Sequence, residues 1–200
     1  GRGVALLFAD GLGDVSEHAT VIARDPDGHF LAVQCKIHGR DTVFIVMHAS
    51  SESDAKQAES YRALAKQLPS KPKRGVDYYL LSDTNNAPDW SLDFRACVSG
   101  EEGKAQDKPR GVGAMNALLH QLELVDAYRS LHPTRREFTR DHVEHGVLLH
   151  QKRLDRIYCS RHLCTTASVP RVAMCKHLWP GPQDIAALRG MGSSSKWSDH

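Results

Sequence analysis

The sequence predicts an α/β fold, and three observations carry that prediction. Short apolar runs of strand length recur at residues 3–8, 29–37, 42–48, 77–82, 154–159 and 171–175. Two longer stretches place apolar residues at helical spacing. Polar, glycine-bearing breaks without any period separate these segments. A chain of 200 residues is long enough for a sizeable core and is read as a single domain over 1–200.

Along the chain, "RGVALLF" opens as a strand, with no initiator Met before it, so the sequence reads as part of a longer protein. The runs at 29–37 and 42–48 follow as strands. Residues 53–69, "SDAKQAESYRALAKQLP", form the first expected helix, with Ala58, Tyr61, Leu64, Ala65 and Leu68 among its apolar positions. Ser53 is placed to cap its start and Pro69 to end it. Residues 113–124, "GAMNALLHQLEL", carry Met115, Leu118, Leu119 and Leu122 on one stripe and predict a second helix. A third, shorter one is expected at 182–189. Residues 97–111 and 190–196 read as surface loops, and the region 140–150 as a further loop.

Composition excludes several classes. Apolar residues make up 40% of the chain, and no run approaches the roughly 20 residues that a membrane helix needs, so no membrane partner is expected. A net charge of +2 is too small to announce nucleic acid. The local clusters Lys71-Pro72-Lys73-Arg74, Arg135-Arg136 and Lys152-Arg153 read as solvated segments. Five cysteines, at 35, 97, 159, 164 and 175, suit a reducing compartment. Cys159, His162, Cys164, Cys175 and His177 crowd together, but without a CxxC they do not predict zinc. Neither a P-loop nor a dinucleotide fingerprint is present.

The chemistry-bearing residues stand at strand ends. In "DYYLLSDTNNAPDW", residues 77–90, the apolar run stops abruptly at Ser82-Asp83-Thr84-Asn85. Residues i and i+2 of a strand point the same way, so Asp83 and Asn85 would face one target, a water, a metal or a phosphate oxygen. An Asx turn that merely terminates the strand is the competing reading. Asp155, between Leu154 and Ile157, is a carboxylate in an apolar strand and calls for a partner. A histidine would serve, and His200 is available.

These segments, in this order, resemble the endonuclease/exonuclease/phosphatase superfamily with the DNase I-like fold, and within it the endonuclease domains of LINE-type (non-LTR) retrotransposons. "RGVALLF" resembles the strand RGVAIL, and "VFIVMHAS" stands where the family has a strand ending in NxYxP. "LLSDTNN" resembles GDFN, and "LVDAYRSLHPTRREFT" is similar to LxDxxRxxxPxxxxxT. "KRLDRIYCS" resembles SRIDYILVS, and "WSDH" the SDH motif.

The resemblance implies a two-sheet sandwich with outer helices, incomplete at both ends, and Mg²⁺- or Mn²⁺-dependent hydrolysis of DNA. It implies that Asp83 activates the attacking water, that Asn85 contacts a phosphate oxygen, and that Asp155 orients a catalytic His200. Asp199 would bind the metal. Thr139 falls beside the site, His48 occupies the position of the family's Tyr, and Ser51 that of an Asn. Asp126 and Arg129 are expected to pair structurally. The family's metal-binding Glu lies in a QE motif before RGVAIL and has no counterpart after Gly1, so this chain alone is expected to be inactive. By the same resemblance the parent would be a nuclear protein carrying a reverse transcriptase. Two alternatives are a phosphatase of the same fold acting on a phosphoinositide or other small phosphate ester, and a catalytically dead nucleic-acid-binding module using Arg135, Arg136, Arg140, Lys152 and Arg153.

Overall fold

A computed structural model describes residues 3–8, 15, 19–100 and 109–164. The sheet topology starts from a meander: β1 (Thr20–Arg24), β2 (Phe30–Ile37) and β3 (Arg40–His48) pair antiparallel in sequence. The β2–β3 reversal takes only His38 and Gly39, both at positive φ (49° and 77°), the backbone of a tight two-residue hairpin. Helix α1 (Asp54–Gln67) then crosses over so that β4 (Asp77–Asp83) lies parallel to β3. After a single-turn helix α2 (Trp90–Asp93) come β5 (Phe94–Ala96), helix α3 (Pro109–Gln121), β6 (Leu124–Asp126) and the short α4 (Ala127–Leu131). Strands β7 (Arg140–Glu144), β8 (Val147–Lys152) and β9 (Asp155–Ser160) follow, and a 3₁₀ turn covers Arg161–Cys164. The strands form one six-stranded sheet, β1-β2-β3-β4-β9-β6, and one three-stranded sheet, β5-β8-β7.

Strand alternation divides the large sheet into two faces. Val43, Ile45, Met47, Tyr78, Leu80 and Tyr158 pack against Tyr61 and Leu64 of α1 and Met115 and Leu118 of α3, forming the main core. Ser53 caps α1 as expected, its side chain accepting from the Lys56 amide. On the opposite face Phe44 stacks on Tyr79 with ring centroids 5.3 Å apart.

Several expectations change. Residues 3–8 do not form a strand; Phe8 instead sets its ring edge against Phe44, with centroids 5.7 Å apart. An apolar run needs a neighbour with open hydrogen-bonding groups to become a strand, and among the described residues β1 holds the edge beside β2. The second helix starts at Pro109 rather than 113, so part of the expected loop 97–111 is helical. The expected loop at 140–150 is the β7–β8 hairpin, closed by His145-Gly146 with φ of 49° and 80°. The expected strand 171–175, helix 182–189 and loop 190–196 lie outside the described residues.

Two carboxylates and three guanidinium groups join the sheets. Asp93 Oδ1 accepts from Arg129 Nη2 at 3.0 Å and Arg153 Nε at 2.9 Å, while Oδ2 accepts from Arg156 Nη2 at 2.8 Å. Asp126 takes Arg153 on both oxygens, at 3.2 and 2.6 Å, and Arg156 Nη1 at 3.2 Å. Asp126 also caps α4 by accepting from the Arg129 amide. The structural pairing expected of Asp126 and Arg129 is thus present, but Arg153 is not a surface cation: its side chain is 5% exposed. Burial alone would raise Asp93, yet Arg156 and Arg153 outweigh it and hold the carboxyl below its ordinary range.

Removing one member of such a cluster leaves buried charge uncompensated. Asp93→Asn is expected to cost about 3–5 kcal/mol in urea unfolding at pH 7. Because the folded carboxyl is the stronger acid, its contribution is present above the ordinary Asp pKa of about 3.9 and is lost as pH falls through the lower folded value. The gap between wild type and variant should therefore narrow below about pH 4; a gap independent of pH would contradict this assignment.

Candidate active site

Three polar residues line up where β3 and β4 end and β9 begins. His48 is the register partner of Asp83, and Asp83 of Asp155, so the three lie side by side across adjacent strands. Paired positions project to the same face. His48 Nε2 stands 3.8 Å from Asp83 Oδ2, an ion-pair separation rather than a hydrogen bond.

Asp83 and Asn85 do not share a strand face as expected. β4 stops at Asp83, and Asn85 turns into the left-handed region at φ 46°, which Asn tolerates better than most residues. Its amide donates to Asp83 Oδ1 at 2.9 Å, and its side-chain amide donates to the Ala49 carbonyl at 2.7 Å. The strand therefore ends in an Asx turn, the competing reading, and that turn holds Asn85 beside the rim. Thr84 is fully buried, and both its amide and its hydroxyl donate to the Leu154 carbonyl, which ties the turn to the residue before Asp155.

Asp155 is held from the other side by Thr139. The Thr139 hydroxyl oxygen accepts from the amides of Leu154 at 3.0 Å and Asp155 at 3.1 Å. Burial first, and the nearby Asp83 carboxylate second among the raising causes, push the Asp155 carboxyl above its ordinary range. Ser51 is exposed at the start of the β3–α1 connection, in a small recess shared with His29, His48, Ser50 and Glu52. His29 pairs with Asp25 at 2.7 Å and accepts the His48 amide on its carbonyl.

Asp83, Asn85, Asp155, His48, Thr139 and Ser51 thus gather around one rim, while Asp199 and His200 lie outside the described residues. Sequence reasoning missed Gln57 of α1, which is fully buried beneath the turn. A lone Gln on an amphipathic helix reads as surface; its place four residues before Tyr61 on the buried stripe was the available signal.

Among the described residues no cluster of three His, Cys, Asp or Glu side chains is arranged to hold a metal ion. Asp83 and Asp155 are hard oxygen donors suited to Mg²⁺, but they do not complete a site by themselves. The Cys159 and Cys164 sulfurs lie 3.0 Å apart, whereas His162 pairs with Asp77. Cys175 and His177 lie outside the described residues. Of the basic residues singled out for nucleic acid, Arg153 is spent on the buried cluster, Arg135 pairs with Glu137, and Arg136 donates to the Phe94 carbonyl.

No family model matches the sequence. Among solved structures, the 3'-5' exonuclease NExo from Neisseria meningitidis is similar with a TM-score of 0.54 and 19% identity, over 74% of this chain and 59% of that one. A second NExo structure, described as a 3' phosphatase bound to product DNA hairpin, gives a TM-score of 0.53 at 18% identity, over 74% and 58%. The AP endonuclease LMAP from Leishmania major gives 0.50 at 12%, over 76% and 56%. The endonuclease domain of TRAS1, a telomere-specific non-LTR retrotransposon, gives a TM-score of 0.44 at 14% identity, over 72% and 57%. The fold is DNase I-like, with two sheets and helices as expected. This chain spans a little over half the length of the structures it matches, 59% and 56% for NExo and LMAP.

A carboxyl whose pKa is raised on folding weakens the fold wherever it is ionised. Asp155→Asn is therefore expected to raise Tm by a few degrees at pH 7 in calorimetry. The difference should vanish below about pH 4, where the wild-type carboxyl is neutral both folded and unfolded. A variant less stable than wild type at pH 7 would contradict this reading of the rim.

Proposed function

We propose that this chain, built on the DNase I-like fold of the endonuclease/exonuclease/phosphatase proteins, carries part of the active site of a DNA phosphodiesterase. One observation supports the reading above all: Asp83 and Asp155 face each other in register at a strand-end rim, with Asn85 pinned beside them in a left-handed turn.

Two neighbouring carboxyls divide the work of hydrolysis. Asp83 accepts a proton from the attacking water, with His48 Nε2 3.8 Å from its carboxylate. Asn85 directs a donor toward a phosphate oxygen. Asp155, fixed by Thr139, orients His200, whose imidazolium stabilises charge developing on the phosphate. Ser51 contributes a hydroxyl at the margin of the recess. A divalent cation, Mg²⁺ or Mn²⁺ with Asp199 among its ligands, would supply Lewis-acid stabilisation.

DNA is the proposed substrate, held mainly through its phosphates. The proposed setting is a retrotransposon protein that nicks chromosomal DNA in the nucleus so that an associated reverse transcriptase can prime, a context supported by motif resemblance. A second reading, removal of a terminal phosphate from DNA or of phosphate from a small ester, is favoured by the neighbour described as a 3' phosphatase.

The test is nicking of supercoiled plasmid in Mg²⁺ or Mn²⁺ by the natural polypeptide that contains this chain. Asp83→Asn is expected to lower the rate by about 10²–10⁴-fold with Tm little changed. Undiminished nicking by the variant would sink the assignment. Phosphate release from 3'-phosphorylated oligonucleotides without nicking would support the phosphatase, and salt-dependent binding without turnover the binding module.

A further inference from the structure

We propose that Gln57 is a positioning residue for the Asp83–Asn86 turn, an inference that rests on the phosphodiesterase reading only for its effect on catalysis. Gln57 is fully buried. Its side-chain amide donates toward three backbone carbonyls, those of Ser50 at 3.3 Å, Thr84 at 3.1 Å and Asn85 at 3.2 Å. Its carbonyl oxygen accepts from the Asn86 side chain at 3.1 Å. One side chain thus grips both loops that flank His48 and Asp83.

That grip has a physical purpose. The turn swings Asn85 into a left-handed conformation, and such backbone persists only where its surroundings over-determine it. The carbonyls of Thr84 and Asn85 point into the protein, where they would be costly without donors. Gln57 supplies them, helped by the Tyr61 hydroxyl at 3.4 Å from the Thr84 carbonyl. With the inner face of the turn fixed, the outer face holds Asp83 and Asn85 in one arrangement.

Helix α3 closes the arrangement from behind. The Asp54 carboxylate accepts from the amides of Arg110 at 3.1 Å and Gly111 at 2.6 Å, which seats the first turn of α3 on α1. Gly111 lies so close that an added Cβ would come within 2.1 Å of Gln57 Oε1. A side chain at this position would have to displace the Gln57 carboxamide, which occupies that space.

Two substitutions test the assignment without touching the rim. Gln57→Met keeps the volume and removes the donors and acceptor. Gly111→Ala keeps Gln57 and displaces its carboxamide. Hydrogen–deuterium exchange is read at residues 83–87, with β2, β3 and α1 as the internal reference, beside steady-state nicking by the natural polypeptide. The expected result is at least about tenfold faster exchange in the turn, unchanged protection of the reference elements, and kcat about 10–100-fold lower with KM within about threefold. If Gln57→Met does not fold, the same readouts are taken from Gly111→Ala. Unchanged turn exchange in the folded variants, or unchanged kcat beside loosened exchange, would overturn the proposal. Wild-type protein that does not nick would count against the phosphodiesterase reading alone, since the exchange comparison still decides whether Gln57 holds the turn.

Discussion

The buried cluster of Asp93 and Asp126 with Arg129, Arg153 and Arg156 is the constraint on which the rest of the structure depends. Arg153 and Arg156 bracket Leu154 and Asp155, so the contacts that satisfy their guanidinium groups also fix where β8 ends and β9 begins. The same contacts tie the three-stranded sheet to the six-stranded one, since Asp93 immediately precedes β5. Buried ion clusters are weak sources of net stability, because desolvation offsets most of the Coulomb gain. Their value here is geometric: planar guanidinium groups with fixed donor directions define a register that a packed apolar patch would leave looser.

From that register the candidate site follows. Fixing the start of β9 places Asp155 opposite Asp83, and the parallel β3–β4 pair brings His48 alongside. Each neighbour then settles one member: Thr139 holds Asp155, the Ala49 carbonyl anchors Asn85, and Thr84 links the two strand ends. The result places two carboxyls close together, an arrangement unfavourable for folding in itself. Such local conflict between stability and placement is characteristic of sites that handle charge, and the described fold offsets it elsewhere through the core beneath α1 and α3.

Much of this was legible in the sequence wherever local pattern decided structure. β2, β3, β4, β9 and α1 announced themselves by strand-length apolar runs and one helical stripe, and Asp83 and Asp155 by being carboxylates at apolar strand ends. The failures have physical reasons. The β7–β8 hairpin was hidden because β7 is largely exposed and polar and β8 is half-buried along nearly its whole length, so no alternation betrayed them, and because His-Gly turns are weaker signals than Asn-Gly. Residues 3–8 have the composition of a strand, but composition cannot supply a pairing partner. Arg153 looked like a surface charge because its acceptors, Asp93 and Asp126, are distant in sequence. Asn85 was placed on a strand face by period, whereas its own Asx turn ended the strand first. The place of Gln57 on the buried stripe hinted at burial, but its role exists only once α1 is laid beneath the turn.

The central claim is that the rim of His48, Asp83, Asn85 and Asp155 meets a DNA phosphate. Its most direct test is a nuclear magnetic resonance titration of the folded protein with a short DNA hairpin, reading backbone amide shifts. The account predicts salt-sensitive shifts concentrated at residues 48–51, 83–86, 139 and 155, with the opposite sheet end around Arg40, Asp77 and His162 unmoved. Shifts centred on that opposite end, or none at DNA concentrations that saturate binding measured independently, would contradict it.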